Sequence, residues 1–314
     1  MRHSLLFAAL ALFAIVLSPT WEATLPLPGL LLPLAAVGLL GVPHGSLDVA
    51  YAVRCHGVEG PVRLASFLVA YVLLAALVVA VWITAPLVTL VLFLAASAHH
   101  FGADVELGAS QGIRLLRGAP LIVLPALLHA PELEGLFAAL VPLAEAASLT
   151  RVLVGAAPLL LAALLLDALR LARSREARAS GRLLEHLTIV ALGVLAHPLL
   201  AFTVGFCVLH SPRHLQRTQR ALGLDGAAML RAAVLPTVAT FVGAAMFLAG
   251  ADPAALDDEL LRLVFIGLAA LTAPHMLVVE PVLRRLGRRG RRARSFLHLS
   301  ETDALLVSLR DDGA

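Results

Sequence analysis

The sequence predicts an all-α, polytopic integral membrane protein with about eight to nine transmembrane or re-entrant helices. Three observations carry that prediction. Hydrophobic residues fill 60% of the 314 positions and charged residues only 14%, whereas a soluble domain needs roughly 25% charged residues to cover its surface. The apolar residues fall in repeated runs, many close to the ~20 residues that cross a ~30 Å hydrocarbon core as a helix. Open sheet is excluded, because unpaired backbone groups in lipid are too costly to leave unsatisfied.

The runs cover residues 4–18, 27–42, 64–84, 86–100, 113–130, 152–170, 186–210, 230–250 and 261–280. The first follows Met1, Arg2 and His3 as a secretory leader would. Pro19, Trp21 and Glu22 then stand where small residues would mark a cleavage site, so this run is expected to remain as a membrane helix. Proline interrupts several of the later runs. There is no internal repeat and no second soluble region. The chain therefore reads as one membrane domain, residues 1–283, followed by a short basic tail, residues 284–314.

Arginine placement sets the expected orientation. Arg170, Arg173, Arg175, Arg178 and Arg182 form one basic loop, Arg213, Arg217, Arg220 and Arg231 a second, and Arg284 to Arg294 the tail. The positive-inside tendency puts all three in the cytoplasm. The acidic loop with Asp252, Asp257, Asp258 and Glu259 then lies outside. The expected location is the cell inner (plasma) membrane, with a cytoplasmic C-terminus. The run 186–210 conflicts with this scheme, since basic stretches flank both of its ends. His197-Pro198 sits at its middle, so a short hairpin or a broken helix is expected there. The net charge of +3 is a topology signal, and no interleaving of basic and aromatic residues suggests nucleic acid. Cys55 and Cys207 are too few for a disulfide framework or a four-thiolate metal site.

Twelve histidines are the compositional oddity. Under this topology His44, His99, His100, His210, His214 and His275 fall at one level, near the inner ends of their segments. That level was derived from arginines alone, so the agreement is independent. His210 and His214 share a face if their turn is helical, and Pro212 is tolerated in a first helical turn. Neutral imidazoles suit iron, copper, nickel or zinc. An imidazole ligand also needs an acceptor for its other ring nitrogen. Asp48, four residues after His44, and Asp104, four after His100, are the candidate acceptors. The bland alternatives are interfacial histidines and a Pro-His-Gly turn that only shapes a helix exit. His129 and His197 fall near the opposite face and are expected to be structural. His3, His56, His186 and His298 lie in loops or flanks and receive no role.

Four motifs occur in order: Gly-x-Pro-His-Gly-x-x-Asp at 41–48, Ser-x-x-His-Phe-Gly-x-Asp at 97–104, His-x-x-x-His at 210–214 and Pro-His at 274–275. Together they resemble the Brp/Blh family of integral-membrane β-carotene 15,15'-dioxygenases, over about residues 38–280. The resemblance implies Fe(2+) as cofactor, held by His44, His100, His210 and His214, with His275 as a candidate fifth contributor. His99 stands where relatives often carry an aromatic residue. The implied reaction is cleavage of the central double bond of β-carotene by O2 to two molecules of retinal. An apolar polyene calls for a tunnel lined by Leu, Val, Ala and Phe, which are abundant here. Phe101, Tyr51, Phe202 and Phe206 are candidates for touching it, or for packing and lipid anchoring. Addition of O2 across a double bond needs no catalytic base, and the sequence offers no obvious one.

The composition and motif count argue against three other readings. A membrane desaturase or hydroxylase usually carries several histidine boxes for two irons, whereas one HxxxH and one adjacent pair occur here. A histidine-based metal transporter would commonly show internal repeats and polar midplane residues. An opsin-type pigment would need a lysine for its Schiff base, and the chain has none.

Overall fold

Prolines, glycines and short polar caps punctuate the apolar runs, and the helices begin and end at them. The computed structural model describes residues 2–24, 26–103, 109–174, 179–252 and 255–311; the side chains of 2, 22–24, 26–29 and 286–311 are not described. Helix α1 (Arg2–Thr24) and α2 (Pro26–Ala36) lead through a π turn (Val37–Gly41) into a short α3 (Val42–Gly45) and then α4 (Asp48–His56). Helices α5 (Pro61–Thr84) and α6 (Pro86–Gly102) each carry proline in the first turn, where its missing N–H has no partner to lose. Next come α7 (Gln111–Gly118), α8 (Pro120–Val123), a 3-10 turn (Leu124–Leu127), α9 (Ala130–Ala138) and α10 (Leu143–Ala172). Helices α11 (Ala179–Leu195) and α12 (Pro198–Val204) precede a second π turn (Gly205–His210), then α13 (Ser211–Leu222), α14 (Gly226–Ala249) and α15 (Leu256–Asp311). Gly223, at φ 61°, ends α13 in the left-handed conformation that glycine adopts without steric cost.

Among the described residues there is no strand. Six stretches of the described residues are long and apolar enough to cross a membrane: His3–Trp21, Leu30–His56, Pro61–Thr84, Leu143–Ala172, Gly226–Ala249 and Leu256–Arg285; Pro86–Gly102 is a shorter apolar helix. Helices α5 and α14 show lipid the most apolar surface, with Val62, Ile83, Leu235 and Met246 almost bare.

The run 113–130 is not a single crossing. Pro120, Pro125 and Pro131 divide it into α7, α8, the 3-10 turn and the start of α9. Its two arginines are buried by ion pairs that the local sequence does not announce. Arg117 donates to both oxygens of Asp167 on α10 (2.7 and 3.1 Å), and Arg114 binds Glu280 on α15 through two bonds. Helix α7 also lies very close to α6. A Cβ added to Gly118 would stand 1.8 Å from the Ala98 carbonyl oxygen, and one on Gly102 1.8 Å from that of Arg114. Backbones meet here because small residues allow it.

The run 186–210 is broken at Ala196 and His197, and the chain doubles back. Glu185, two turns into α11, accepts from Ser4 (2.7 Å) and pairs with Arg213 on α13, so both ends of the segment return to one level. At the other end the His197 N–H donates to Ser18 (2.6 Å), and the His197 ring accepts from Leu199 N to cap α12. A hairpin of this kind removes the conflict between its two basic flanks. The core packs Phe7, Ala11 and Trp21 of α1 against Leu192, Ala196 and Leu200.

Candidate metal centre

Five elements deliver one histidine each to a common point, counting the second π turn and α13 separately. His44 follows the first π turn on α3, His100 lies near the end of α6, His210 closes the second π turn, His214 sits one turn into α13, and His275 lies within α15. A π turn widens a helix and re-aims the residues beyond it. The two here pack on each other: Gly41 of the first meets Phe206 of the second so closely that a Cβ would lie 2.1 Å from the ring. Pro212 occupies the first turn of α13 without interrupting it.

The imidazoles form a tight cluster. His44 has ring-centre distances of 5.0, 5.1 and 5.5 Å to His210, His214 and His275. His100 stands 5.0, 5.6 and 5.2 Å from the same three. All five are cut off from water, from His214 at 1% exposed to His44 at 8%. Nitrogens of His100, His214 and His275 lie within 4.8 Å of one another. Two nitrogens on opposite sides of one ion stand about 4.2 Å apart at ordinary metal–nitrogen distances, so these three surround a space of ion size.

Hydrogen bonds fix which ring atoms remain available. His44 Nδ1 donates to the Gly41 carbonyl, and a carbonyl only accepts, so Nε2 keeps its lone pair. His275 Nδ1 donates to Asp48 Oδ1 (2.8 Å), while the Tyr71 hydroxyl donates to Asp48 Oδ2 (2.8 Å). Both nitrogens of His100, Nε2 of His214 and Nε2 of His275 are buried with no hydrogen-bond partner among the described residues. Native proteins rarely leave such atoms unsatisfied, and each costs about 1–3 kcal/mol when they do. A single cation among them would satisfy one nitrogen from each of these three rings.

The doubled histidine resolves into two environments. His100 faces the cluster, whereas His99 Nε2 lies 4.0 Å from Glu280. Asp48 serves His275 rather than the nearby His44, and Asp104 lies outside the described residues. His186, expected in a flank, is buried with Nε2 2.9 Å from the Leu164 carbonyl and Nδ1 3.9 Å from Asp167. His56 bonds the Val278 carbonyl (2.7 Å), and His129 faces Glu132. The sequence reading did not single out Tyr71, whose hydroxyl stands in the apolar middle of α5 (residues 67–81).

An apolar cavity of about 700 Å³ opens onto the cluster, toward the upper end of the ~300–1,000 Å³ range of small-molecule sites. Leu68, Val72 and Ala75 of α5 form one wall and Leu235, Pro236 and Ala239 of α14 another. Phe101, Phe202 and Phe206 line its inner part, with Phe206 stacked on His210 (5.4 Å, 19°) and on Phe202 (5.3 Å, 11°). Tyr51 is elsewhere: fully buried, it donates to Thr218 (3.1 Å) among Val278, Val279 and Leu283.

Fold and site together define a polytopic helical membrane protein with five clustered, buried imidazoles, four of which line an apolar cavity. A profile described as Beta-carotene 15,15'-dioxygenase matches residues 35–282, and the chain belongs to that family. It is 28% identical over 268 residues to the Beta-carotene 15,15'-dioxygenase of uncultured marine bacterium 66A03, covering 80% of this chain and 93% of that relative. No solved structure matches the chain.

Proposed function

We propose that this protein cleaves the central 15,15' double bond of β-carotene with O2. The bond breaks and each half takes one oxygen atom as an aldehyde, giving two molecules of all-trans-retinal. The carrying observation is the set of orphaned, buried imidazole nitrogens at the floor of a cavity shaped for an apolar ligand. Family membership supports the substrate class.

His44, His100, His210 and His214 would hold an Fe(2+) ion, with His275 as a fifth donor. Neutral imidazoles without thiolates suit a borderline metal, and with no carboxylate in the inner cluster among the described residues the centre would stay cationic. When bound, the iron would supply the activation of O2 that a closed-shell hydrocarbon lacks. The protein's own contribution is placement. Phe101, Phe202 and Phe206 would hold the polyene against the histidines, and central cleavage results if its midpoint is the part that reaches them. The apolar walls would exclude water from that space.

Arg114 and Arg284 meet at Glu280, near the end of the apolar stretch Leu256–Arg285, while Arg54 binds the Leu222 carbonyl and Arg213 pairs with Glu185. We place that end, and the C-terminal tail with it, on the cytoplasmic side of the inner membrane by the positive-inside tendency.

The test is expression in a bacterial host that makes β-carotene, with pigment, retinal and protein-bound iron measured together. Loss of orange colour with retinal accumulating is the expected result. His44→Ala and His214→Ala should insert normally yet lose the iron and the activity. Intact β-carotene beside iron-loaded protein would overturn the substrate, and full iron in either variant would overturn the ligand set.

A further inference from the structure

Among the described residues, the ion-pair partner of the buried Asp48 carboxylate is His275, not an arginine. Asp48 is 3% exposed, and its side-chain partners among the described residues are His275 on one oxygen and Tyr71 on the other. A charge removed from water needs an opposite charge or a full set of hydrogen bonds. Asp48 has two side-chain bonds and the N-terminus of α4, whose dipole favours an anion. A cation on the far face of the His275 ring would complete the compensation.

We infer that Tyr71 and Asp48 are positioning residues that set His275 as a metal ligand, an inference that rests on the metal reading of the cluster. Asp48 Oδ1 takes the Nδ1 proton of His275 in a hydrogen bond, which fixes the tautomer and leaves the Nε2 lone pair facing the other imidazoles. The Tyr71 hydroxyl holds Oδ2, so the carboxylate stays turned toward His275. The three residues come from α5, α4 and α15, separated by 23 and 227 positions in sequence. Tyr71 brings a hydroxyl to the face of α5 where Phe67, Leu68, Val72 and Ala75 line the cavity. Its ring also lines the cavity beside Phe67 (5.9 Å). One side chain therefore touches both the space for the substrate and the partner of a ligand.

Partners of this kind typically change metal affinity about 10–100-fold when lost. The readout is the rate at which a ferrous chelator strips iron from purified, detergent-solubilised protein, followed for the wild type, Tyr71→Phe, Asp48→Asn, His275→Ala and Asp48→Asn/His275→Ala. A second readout is the visible absorption of the cobalt-substituted forms, which reports ligand number and geometry whether or not the enzyme turns over. Size-exclusion profiles establish that each variant is folded, and Tyr71→Phe, which removes one oxygen and keeps the ring, guards against loss of the others.

Asp48→Asn is expected to speed stripping about 10–100-fold, Tyr71→Phe by a smaller factor of about 3–10, and both to shift the cobalt spectrum. The double variant should be no worse than His275→Ala alone, because Asp48 acts through that ring. Wild-type stripping rates and spectra in Asp48→Asn overturn the inference, as does a double variant whose loss is the product of the two single losses. A wild-type protein that takes up neither iron nor cobalt overturns the metal reading itself. Iron-loaded wild type with an unaffected His275→Ala overturns only the present inference and leaves a four-histidine site standing.

Discussion

Gly118→Ala adds one methyl group at the point where α7 crosses α6, and its effect should reach the histidine cluster. The new Cβ would lie 1.8 Å from the Ala98 carbonyl oxygen and 2.6 Å from Gly102 N, where real Cβ contacts fall no closer than 3.0 Å. The helices must therefore part by about 1.2 Å. Helix α7 has little freedom to retreat, since Arg114 ties it to α15 and Arg117 ties it to α10. Helix α6 must yield instead, and it carries His100 between the two contact residues. Overpacking of this kind costs about 1–3 kcal/mol; because the clash is with backbone, the upper end applies. At ~2 °C per kcal/mol for a chain of this size, Tm should fall by about 6 °C. Displacing a reacting group by about 1 Å can lower turnover about 100-fold, so retinal formation should suffer more than stability does. Gly112→Ala, on the same helix but with nothing within 4 Å, is the control and should be neutral or slightly stabilising, by up to ~1 kcal/mol. The assay is thermal unfolding in one detergent alongside retinal formation. An unchanged Tm and unchanged retinal formation in Gly118→Ala would refute the idea that this backbone contact sets the position of His100.

Asp167→Ala removes the carboxylate that holds Arg117 and should destabilise by about 3–5 kcal/mol, as breaking a buried ion pair does. Arg117→Met/Asp167→Leu should regain most of that, and denaturant titration of the three proteins decides it; equal stability of the single and double variants would contradict the account. Ala75→Trp, on the α5 wall of the cavity, should lower kcat/KM for β-carotene about tenfold or more by steric exclusion and, on the proposed reading of the histidine cluster, leave iron uptake unchanged. If turnover survives intact, the polyene lies elsewhere.

Much of the fold was legible because lipid permits few solutions. Apolar runs became helices, and the basic flanks of 186–210 foretold a chain that doubles back at His197-Pro198. The histidines were legible as a group for the same reason: arginine-based topology put them at one depth, and the structure brings five of them together. What escaped were relations with no local signature. Arg114 and Arg117 look like the edge of a crossing until Glu280 and Asp167 are seen beside them, 166 and 50 residues away. Asp48 sits four residues from His44, yet the first π turn gives His44 the Gly41 carbonyl as a partner and leaves Asp48 to a ring on α15. Neither π turn is encoded by a periodicity that could be counted. Their position shows in hindsight in Gly41 and Gly205, whose missing side chains admit Phe206 and Leu121.

The two outer walls of the cavity, α5 and α14, have lipid behind them and make little contact with each other. The membrane is thus a component of the site as well as its surroundings. A hydrocarbon dissolved in the acyl chains can meet the opening by sideways diffusion within a sheet. The variable that governs occupancy is then its mole fraction in that sheet, and molarity in the flask has little meaning. An apparent KM measured in micelles should rise in proportion to added detergent at fixed carotenoid, as surface dilution demands. Host bilayers of different thickness or acyl order should change turnover even when the protein and its total substrate are held the same.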